Sequence, residues 1–242
     1  MPINYSIIIP AYNEEDFLPA TLTALQEAMP KLALRGEIIV VDNNSNDKTA
    51  VIAENQNAKV VYEAINQISR ARNTGARVAQ GRYLIFVDAD TIIPYKLLQQ
   101  ALANLESGDI IGGGACVAGN VRLPISYQVL LKLWNFISKL TKNAAGSFIY
   151  CQRDAFEKIG GFSEKVYASE EIWLSRKLKK LGRKRNQRFY IIKEPPVITS
   201  MRKMQWYSPL RIFLYLLLIV LFPFSVRFKS LCTFWYRKPA LK

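Results

Sequence analysis

The sequence predicts an α/β domain built on a mainly parallel sheet. Short aliphatic runs alternate with stretches of helical periodicity. The runs are apolar throughout, as in strands covered on both faces. Polar clusters follow the runs at their carboxyl ends.

Tyr5–Ile9 carries Ser-Ile-Ile-Ile, ends at Pro10 and reads as a buried strand. From Asp16 to Met29 the apolar residues Phe17, Leu18, Leu22, Leu25 and Met29 keep helical spacing. Glu37–Val41 is the second buried strand and runs into the polar turn Asp42-Asn43-Asn44-Ser45-Asn46-Asp47, where Asp47 is placed to cap a helix beginning near Lys48. Lys59–Tyr62 is a third strand, Ser69 to Gln80 an alanine-containing helix stopped by Gly81, and Tyr83–Val87 a fourth strand ending in Asp88-Ala89-Asp90.

The chain has 242 residues, 50% of them hydrophobic and 21% charged, enough for one domain with a real core and incompatible with general disorder. It contains no histidine, which removes Ser-His-Asp triads, Cys-His pairs and His-ligated zinc. Any metal then sits on carboxylates, and a carboxylate is the natural general base. Cys116, Cys151 and Cys232 form no C-x-x-C pair, which points to a reducing compartment. The N-terminus has no secretory pattern, so the expected site of action is the cytoplasm or a membrane surface facing it. Net charge is +14, divided into −4 over residues 1–120 and +18 over residues 121–242. A basic second half suits an anionic partner such as phospholipid headgroups, a phosphorylated substrate or nucleic acid.

In open parallel sheets, ligands bind outside the carboxyl ends of the strands. Tyr12-Asn13-Glu14-Glu15, Asp42-Asn43-Asn44 and Asp88-Ala89-Asp90 all fall at such ends, so one cleft lined by carboxylates and amides is expected. Neither G-x-G-x-x-G nor G-x-x-x-x-G-K-[ST] follows the first strand, which argues against dinucleotide and P-loop binding. A lone Asp-x-Asp is usually a solvated turn. After the most apolar strand, two repelling carboxylates instead call for a cation or donors, and oxygen ligands select Mg²⁺ or Mn²⁺.

These residues resemble glycosyltransferase family 2. The similarity runs through Ile7-Ile-Ile-Pro-Ala-Tyr-Asn-Glu-Glu15, Ile39 to Thr49, Ser69-Arg-Ala-Arg-Asn-Thr-Gly75 and Phe86-Val-Asp-Ala-Asp-Thr91. Gly146 to Phe162 resembles the family's acceptor-side segment, and Ser169 to Leu178 its E-D-x-x-L-x-x-R-L helix. Six segments in order cover roughly residues 4–182. The resemblance implies a GT-A fold and inverting transfer of a sugar from a nucleotide-sugar donor, UDP-linked, with Mg²⁺ or Mn²⁺. Carried over by position, Pro10, Tyr12 and Glu14 would shape the base and ribose pocket. Asp42 would accept a hydrogen bond from the base, and Arg72 would line the nucleotide or diphosphate side. Asp88 would lie near the ribose or metal, and Asp90 would ligate the metal.

Departure of a nucleoside diphosphate needs positive charge, and inversion needs one base at the acceptor hydroxyl. Without histidine the base candidates are Glu170 and Glu171, in the first turn of a helix that Ser169 is placed to cap. Leu174, Leu178 and Leu181 form that helix's apolar stripe. The residues alone allow both glutamates merely to complement the helix dipole. The resemblance aligns the base with Glu171, where Glu replaces the family's Asp, and leaves Glu170 as the alternative. Gln205-Trp206 only superficially echoes the Q-x-x-R-W of polymerising members, so single addition is expected.

Arg176 to Arg188 holds eight Lys/Arg and no acid, and Pro195 to Lys242 also has no acid. Inside the latter, Ile212 to Val226 is nearly all apolar, interrupted by Pro223. Fifteen residues fall below the roughly twenty a spanning helix needs. With Arg227, Lys229, Arg237, Lys238, Trp206, Trp235 and Tyr236 as flanks, it reads as an interfacial anchor; a core helix and a tilted span are the other readings. The expected organisation is a GT-A domain over residues 1–205, with a donor half to about 115 and an acceptor half beyond, then a membrane-associating segment over 206–242. A saccharide or lipid-linked acceptor and a membrane surface are the expected partners, with no nucleic acid. The competing readings are a nucleotidyltransferase on a related fold, which would want a Gly-rich loop that residues 10–16 lack, and a non-enzymatic basic membrane- or nucleic-acid-binding module.

Overall fold

A computed structural model describes residues 2–202 and 206–232. Gln205, Trp235, Tyr236, Arg237 and Lys238 lie outside the described residues. In chain order the first half comprises β1 (Tyr5–Ala11), α1 (Leu18–Ala28), β2 (Gly36–Asp42), α2 (Thr49–Asn55), β3 (Lys59–Tyr62), α3 (Ile68–Val78) and β4 (Tyr83–Val87). There follow β5 (Thr91–Ile92), α4 (Tyr95–Glu106), β6 (Ile110–Gly119), α5 (Ile125–Thr141), β7 (Phe148–Gln152), α6 (Arg153–Lys158), α7 (Glu170–Lys184), β8 (Arg188–Thr199) and α8 (Pro209–Leu221).

The strands form one eight-stranded sheet in the order β3-β2-β1-β4-β7-β6-β8-β5. The quartet β3-β2-β1-β4 is parallel throughout. β7 runs antiparallel to both β4 and β6, while β6 and β8 are parallel. Among the described residues four of the seven strand pairings are parallel, so the sheet is mainly parallel as expected, with its antiparallel pairings confined to β7 and the β5-β8 edge.

Because strand side chains alternate faces, the apolar runs supply two cores. Ile7, Ile9, Val40, Ile85 and Val87 pack with Leu18, Leu22 and Leu25 of α1 and Leu98 and Leu102 of α4. Ile8, Ile39, Val41, Leu84 and Phe86 pack with Ala71 of α3, Phe156 of α6 and Leu174 and Leu178 of α7. Helix α3 crosses β1 at Gly75, where a Cβ would collide with Ile8 Cγ2. Parallel register sets Ala11 beside Asp42 and Ile8 beside Phe86, so the ends of β1, β2 and β4 open on one edge.

The anticipated apolar stretch 212–226 divides as its proline requires: α8 ends at Leu221, and a 3₁₀ turn spans Pro223–Arg227. Its inner side touches the body, with Val226 and Cys232 packed on Val166 and Ala168. Its outer side leaves Leu214, Leu217, Phe222 and Phe224 exposed, as is Leu210 in the first turn of α8. Among the described residues no helix is long and apolar enough to cross a membrane.

Candidate active site

The strand ends enclose an open cleft of about 1000 Å³, lined among others by Pro10, Tyr12, Glu14, Asn43, Asp88, Asp90 and Arg202. Its first wall is two loops knitted together. Asn13 takes a left-handed backbone conformation at φ 53°, which asparagine tolerates. The amides of Asn13, Glu14 and Glu15 donate to Ser45 Oγ, Thr49 Oγ1 and Asp47 Oδ2 at 3.1, 2.8 and 3.1 Å. In return the amides of Asn46 and Lys48 donate to Asn13 Oδ1 and Glu15 Oε2. Asp47 Oδ1 also accepts the Thr49 amide at 2.9 Å, but the N-cap position of α2 falls on Lys48 and carries no side-chain cap bond, so the expected Asp47 cap is instead a turn bond from one residue outside the helix. Burial alone would raise the Asp47 carboxyl, but the bonds from Thr49 and Glu15 outweigh it and hold it low.

The second wall is set by Arg202, which follows β8. Its guanidinium grips Glu14 bidentately, one arm at 2.7 Å, and its Nη2 lies 3.1 Å from Asp90 Oδ2. It stacks over the Phe17 ring at 4.6 Å. Burial raises the Glu14 carboxyl above its ordinary value despite the opposing pull of Arg202. Burial also opposes the Arg202 charge, but Glu14 and Asp90 more than compensate. Thr199 Oγ1 stands 3.5 Å from Asp90 Oδ1, and the Ser200 amide donates to the Asp90 carbonyl at 3.1 Å.

The third component is buried. Arg72 is 1% exposed, and its Nη1 meets Glu170 Oε1 at 2.6 Å. Its Nη2 meets Asp88 Oδ1 at 2.8 Å and donates to the Gly146 carbonyl at 3.0 Å. Burial works against this charge, but Asp88, Glu170 and Glu171 outweigh it. Arg72 thus ties the end of β4 to the first turn of α7. It is not among the residues lining the cleft and stands as a strut between two carboxylates.

Glu171 is half-buried beside this pair. Burial first, and the neighbouring Glu170 charge second, push its carboxyl up to about 8. Ser169 stands at the α7 N-cap position but adopts a left-handed conformation and makes no side-chain cap bond. The expected hydroxyl cap is therefore replaced by its carbonyl, which accepts the Ile172 and Trp173 amides. The anticipated stripe holds: Leu174 and Leu178 are buried and Leu181 packs at the edge.

The structure brings Pro10, Tyr12, Glu14, Asp88 and Asp90 into one cleft. Asp42 is 8% exposed and accepts the Ser45 amide at 3.0 Å; its neighbour Asn43, not Asp42, lines the cleft. Glu170 and Glu171 sit behind Arg72 and outside the lining. Arg202 escaped the sequence reading because its partner Glu14 is 188 residues away. Only its place in an acid-free stretch marked it.

Among the described residues no group of three or more Cys, Asp or Glu side chains forms a closed metal cage. Asp88 and Asp90 nonetheless offer two carboxylates to one cleft, which fits Mg²⁺ or Mn²⁺ taking its remaining ligands from a diphosphate and water.

A mostly parallel sheet flanked by helices, with an acidic cleft at its strand ends, is the GT-A architecture. The model of the family described as glycosyl transferase family 2 matches residues 6–160, and the chain belongs to that family. It is 31% identical over 162 residues to an undecaprenyl-phosphate 4-deoxy-4-formamido-L-arabinose transferase of Pseudomonas fluorescens (strain Pf0-1), covering 63% of this chain and 46% of that one. It is 32% identical over 117 residues to the uncharacterized glycosyltransferase EpsJ of Bacillus subtilis (strain 168), covering 45% and 33%. The chain therefore spans less than half the length of these two relatives. Among solved structures, S. aureus TarS 1-349 in complex with UDP-GlcNAc superimposes with a TM-score of 0.63 at 21% identity, covering 83% of this chain and 59% of that one. The mannosyltransferase PcManGT from Pyrobaculum calidifontis, in complex with GDP-Man and Mn²⁺, gives 0.60 at 19% identity, covering 97% and 76%.

Proposed function

We propose that this protein transfers a sugar from a nucleotide-sugar donor, UDP-linked, to an acceptor hydroxyl with inversion and by single addition. Pro10, Tyr12 and Glu14 shape the nucleoside pocket, and Asp42 with Asn43 closes its base end. Asp90, with Asp88, holds Mg²⁺ or Mn²⁺, which supplies positive charge to the departing diphosphate. Arg202 places a second positive charge at the same end of the cleft.

Glu171 takes the proton from the acceptor hydroxyl as that oxygen attacks the anomeric carbon from the face opposite the leaving group. A carboxyl raised to about 8 suits this task, because a base is most effective when its pKa lies near the working pH. Arg72 holds Glu170 and Asp88, and so fixes the base-bearing turn relative to the metal-side aspartates.

The observation that supports the proposal is this Asp88–Arg72–Glu170 chain, which ties the end of β4 to the α7 turn that bears Glu171. The acceptor is a saccharide or a lipid-linked glycan. The enzyme works at the cytoplasmic side of a membrane, held through residues 206–242, with the domain proper ending near 205. The undecaprenyl-phosphate named for the Pseudomonas relative supports a lipid-linked acceptor. The test is slow hydrolysis across a panel of nucleotide sugars with Mn²⁺, which needs no acceptor. Wild type should release nucleoside diphosphate from a UDP-sugar, and Asp90→Ala should release none and lose Mn²⁺-dependent UDP binding while remaining folded. Metal-independent hydrolysis that survives Asp90→Ala would overturn the metal assignment.

A further inference from the structure

We infer that α5 forms a second membrane-docking element, through which the protein rests on an anionic lipid surface beside the mouth of the cleft. This deepens the membrane-surface part of the proposed function and rests on it. It assigns the contact to a helix outside the C-terminal segment.

Helix α5 turns its large apolar side chains outward. Ile125, Val129, Leu133, Phe136, Ile137 and Leu140 are 80, 58, 51, 59, 41 and 72% exposed. At 3.6 residues per turn they share an arc of roughly 120°. The opposite face is firmly docked. Asn135 accepts the Val117 amide at 2.9 Å and donates to its carbonyl at 2.8 Å. Ser138 is buried and donates to the Asn143 carbonyl, and Leu131 and Trp134 pack against the core. The exposed stripe is therefore a fixed feature of the surface, larger than the scattered apolar residues a soluble protein carries.

Charge selects the occupant. Lys132, Lys139 and Lys142 are exposed along and just beyond this helix, and Arg122 precedes it. Residues 110–153 contain no Asp or Glu. A second copy docking on the same face would bring two sets of lysines together with no acid from this stretch to neutralise them. An anionic bilayer accepts the apolar side chains among its acyl chains and the lysines among its headgroups.

Helix α5 also lies beside the start of α8, through its docked face. Tyr127 donates to the Tyr207 carbonyl at 2.9 Å, two residues before α8 begins. Leu131 and Trp134 of α5 and Ile212 of α8 all line the cleft. A bilayer touching both helices would thus lie at the cleft mouth, where a lipid-borne acceptor enters without leaving the membrane.

The test is co-sedimentation of the full chain with phosphatidylcholine vesicles containing about a third phosphatidylglycerol, at low and high salt. Wild type should bind these vesicles and bind pure phosphatidylcholine less. Leu133→Glu/Phe136→Glu should lower the partition coefficient at least tenfold, with an unchanged thermal midpoint. Lys132→Gln/Lys139→Gln, which leaves packing alone, should lower it by about thirtyfold at low salt and little at high salt. Leu214→Glu/Leu217→Glu on α8 reports separately on the C-terminal contact. If both α5 variants bind like wild type while the α8 variant does not, the α5 assignment is overturned and C-terminal docking stands. If wild type stays in the supernatant, membrane docking as a whole is overturned. Sedimentation velocity then shows whether the stripe is a dimer contact, as self-association lost in Leu133→Glu/Phe136→Glu.

Discussion

Replacing Glu171 with Gln should make the protein more stable and inactive at once. The side chain keeps its shape and loses only its proton chemistry. In the folded protein the carboxyl is raised from 4.5 to about 8, by burial and by Glu170. Between those two values the native state binds more protons than the unfolded chain, so wild-type stability falls as pH rises through the window. Gln has no such term. At pH 7 the full shift corresponds to about 3 kcal/mol, and partial solvent access and coupling to Glu170 reduce this to about 2 kcal/mol. For a chain of this size that is a rise of roughly 4–8 °C in the thermal midpoint. At pH 5 the gain should shrink below about 1 kcal/mol, because the native carboxyl is protonated and little charge remains to bury. Wild-type kcat/KM should rise with pH toward about 8 as the base ionises, and the variant should lose transfer by about 10²–10⁴-fold while binding donor normally. The measurements are thermal unfolding at pH 5, 7 and 8 and transfer kinetics over the same range. A variant no more stable than wild type at pH 8 refutes the buried-charge argument. One that transfers normally, while Glu170→Gln does not, moves the base one residue back.

Three further outcomes follow from the site. Arg72→Met should cost about 3–5 kcal/mol, because it strands the buried Glu170 carboxylate, and Arg72→Met/Glu170→Gln should recover most of that; a single-variant loss below about 1 kcal/mol by urea unfolding removes the strut. Asp42→Ala should weaken UDP binding by about tenfold or more with little change in turnover at saturating donor, since contacts to the base bind ground and transition states alike; a large fall in kcat contradicts that role. Arg202→Ala should tighten Mn²⁺ binding by about tenfold in a calorimetric titration without nucleotide, because a guanidinium 3.1 Å from Asp90 competes for its carboxylate; unchanged affinity means that it does not.

Much of the first half of the chain was legible in the sequence. β3 and β4 begin and end where their apolar runs do, and β1 and β2 extend theirs by one or two residues. Strands buried on both faces must be apolar at every position, and that constraint is local. The strand-end clusters were legible for the same reason, since parallel strands deliver their carboxyl ends to one edge. What the sequence could not decide is which distant groups meet. Arg202 reaches Glu14, and Arg72 reaches Glu170, across 188 and 98 residues, and no periodicity records such a pairing. The Ser169 hydroxyl was misread because a serine before a helix looks the same whether its oxygen or its carbonyl meets the first amides. Helix α5 marks the limit most clearly. A stripe of large hydrophobics is ordinarily core-facing, yet Asn135 and Ser138 face inward beside Leu131 and Trp134, while Ile125, Val129, Leu133, Phe136, Ile137 and Leu140 face out. The sequence by itself carries the spacing of that stripe and nothing that says which face is covered. Only the tertiary structure decided which face is covered, because β6 loses its β7 partner after Gly114, and Val117 there offers an amide and a carbonyl that Asn135 satisfies and an apolar side chain could not.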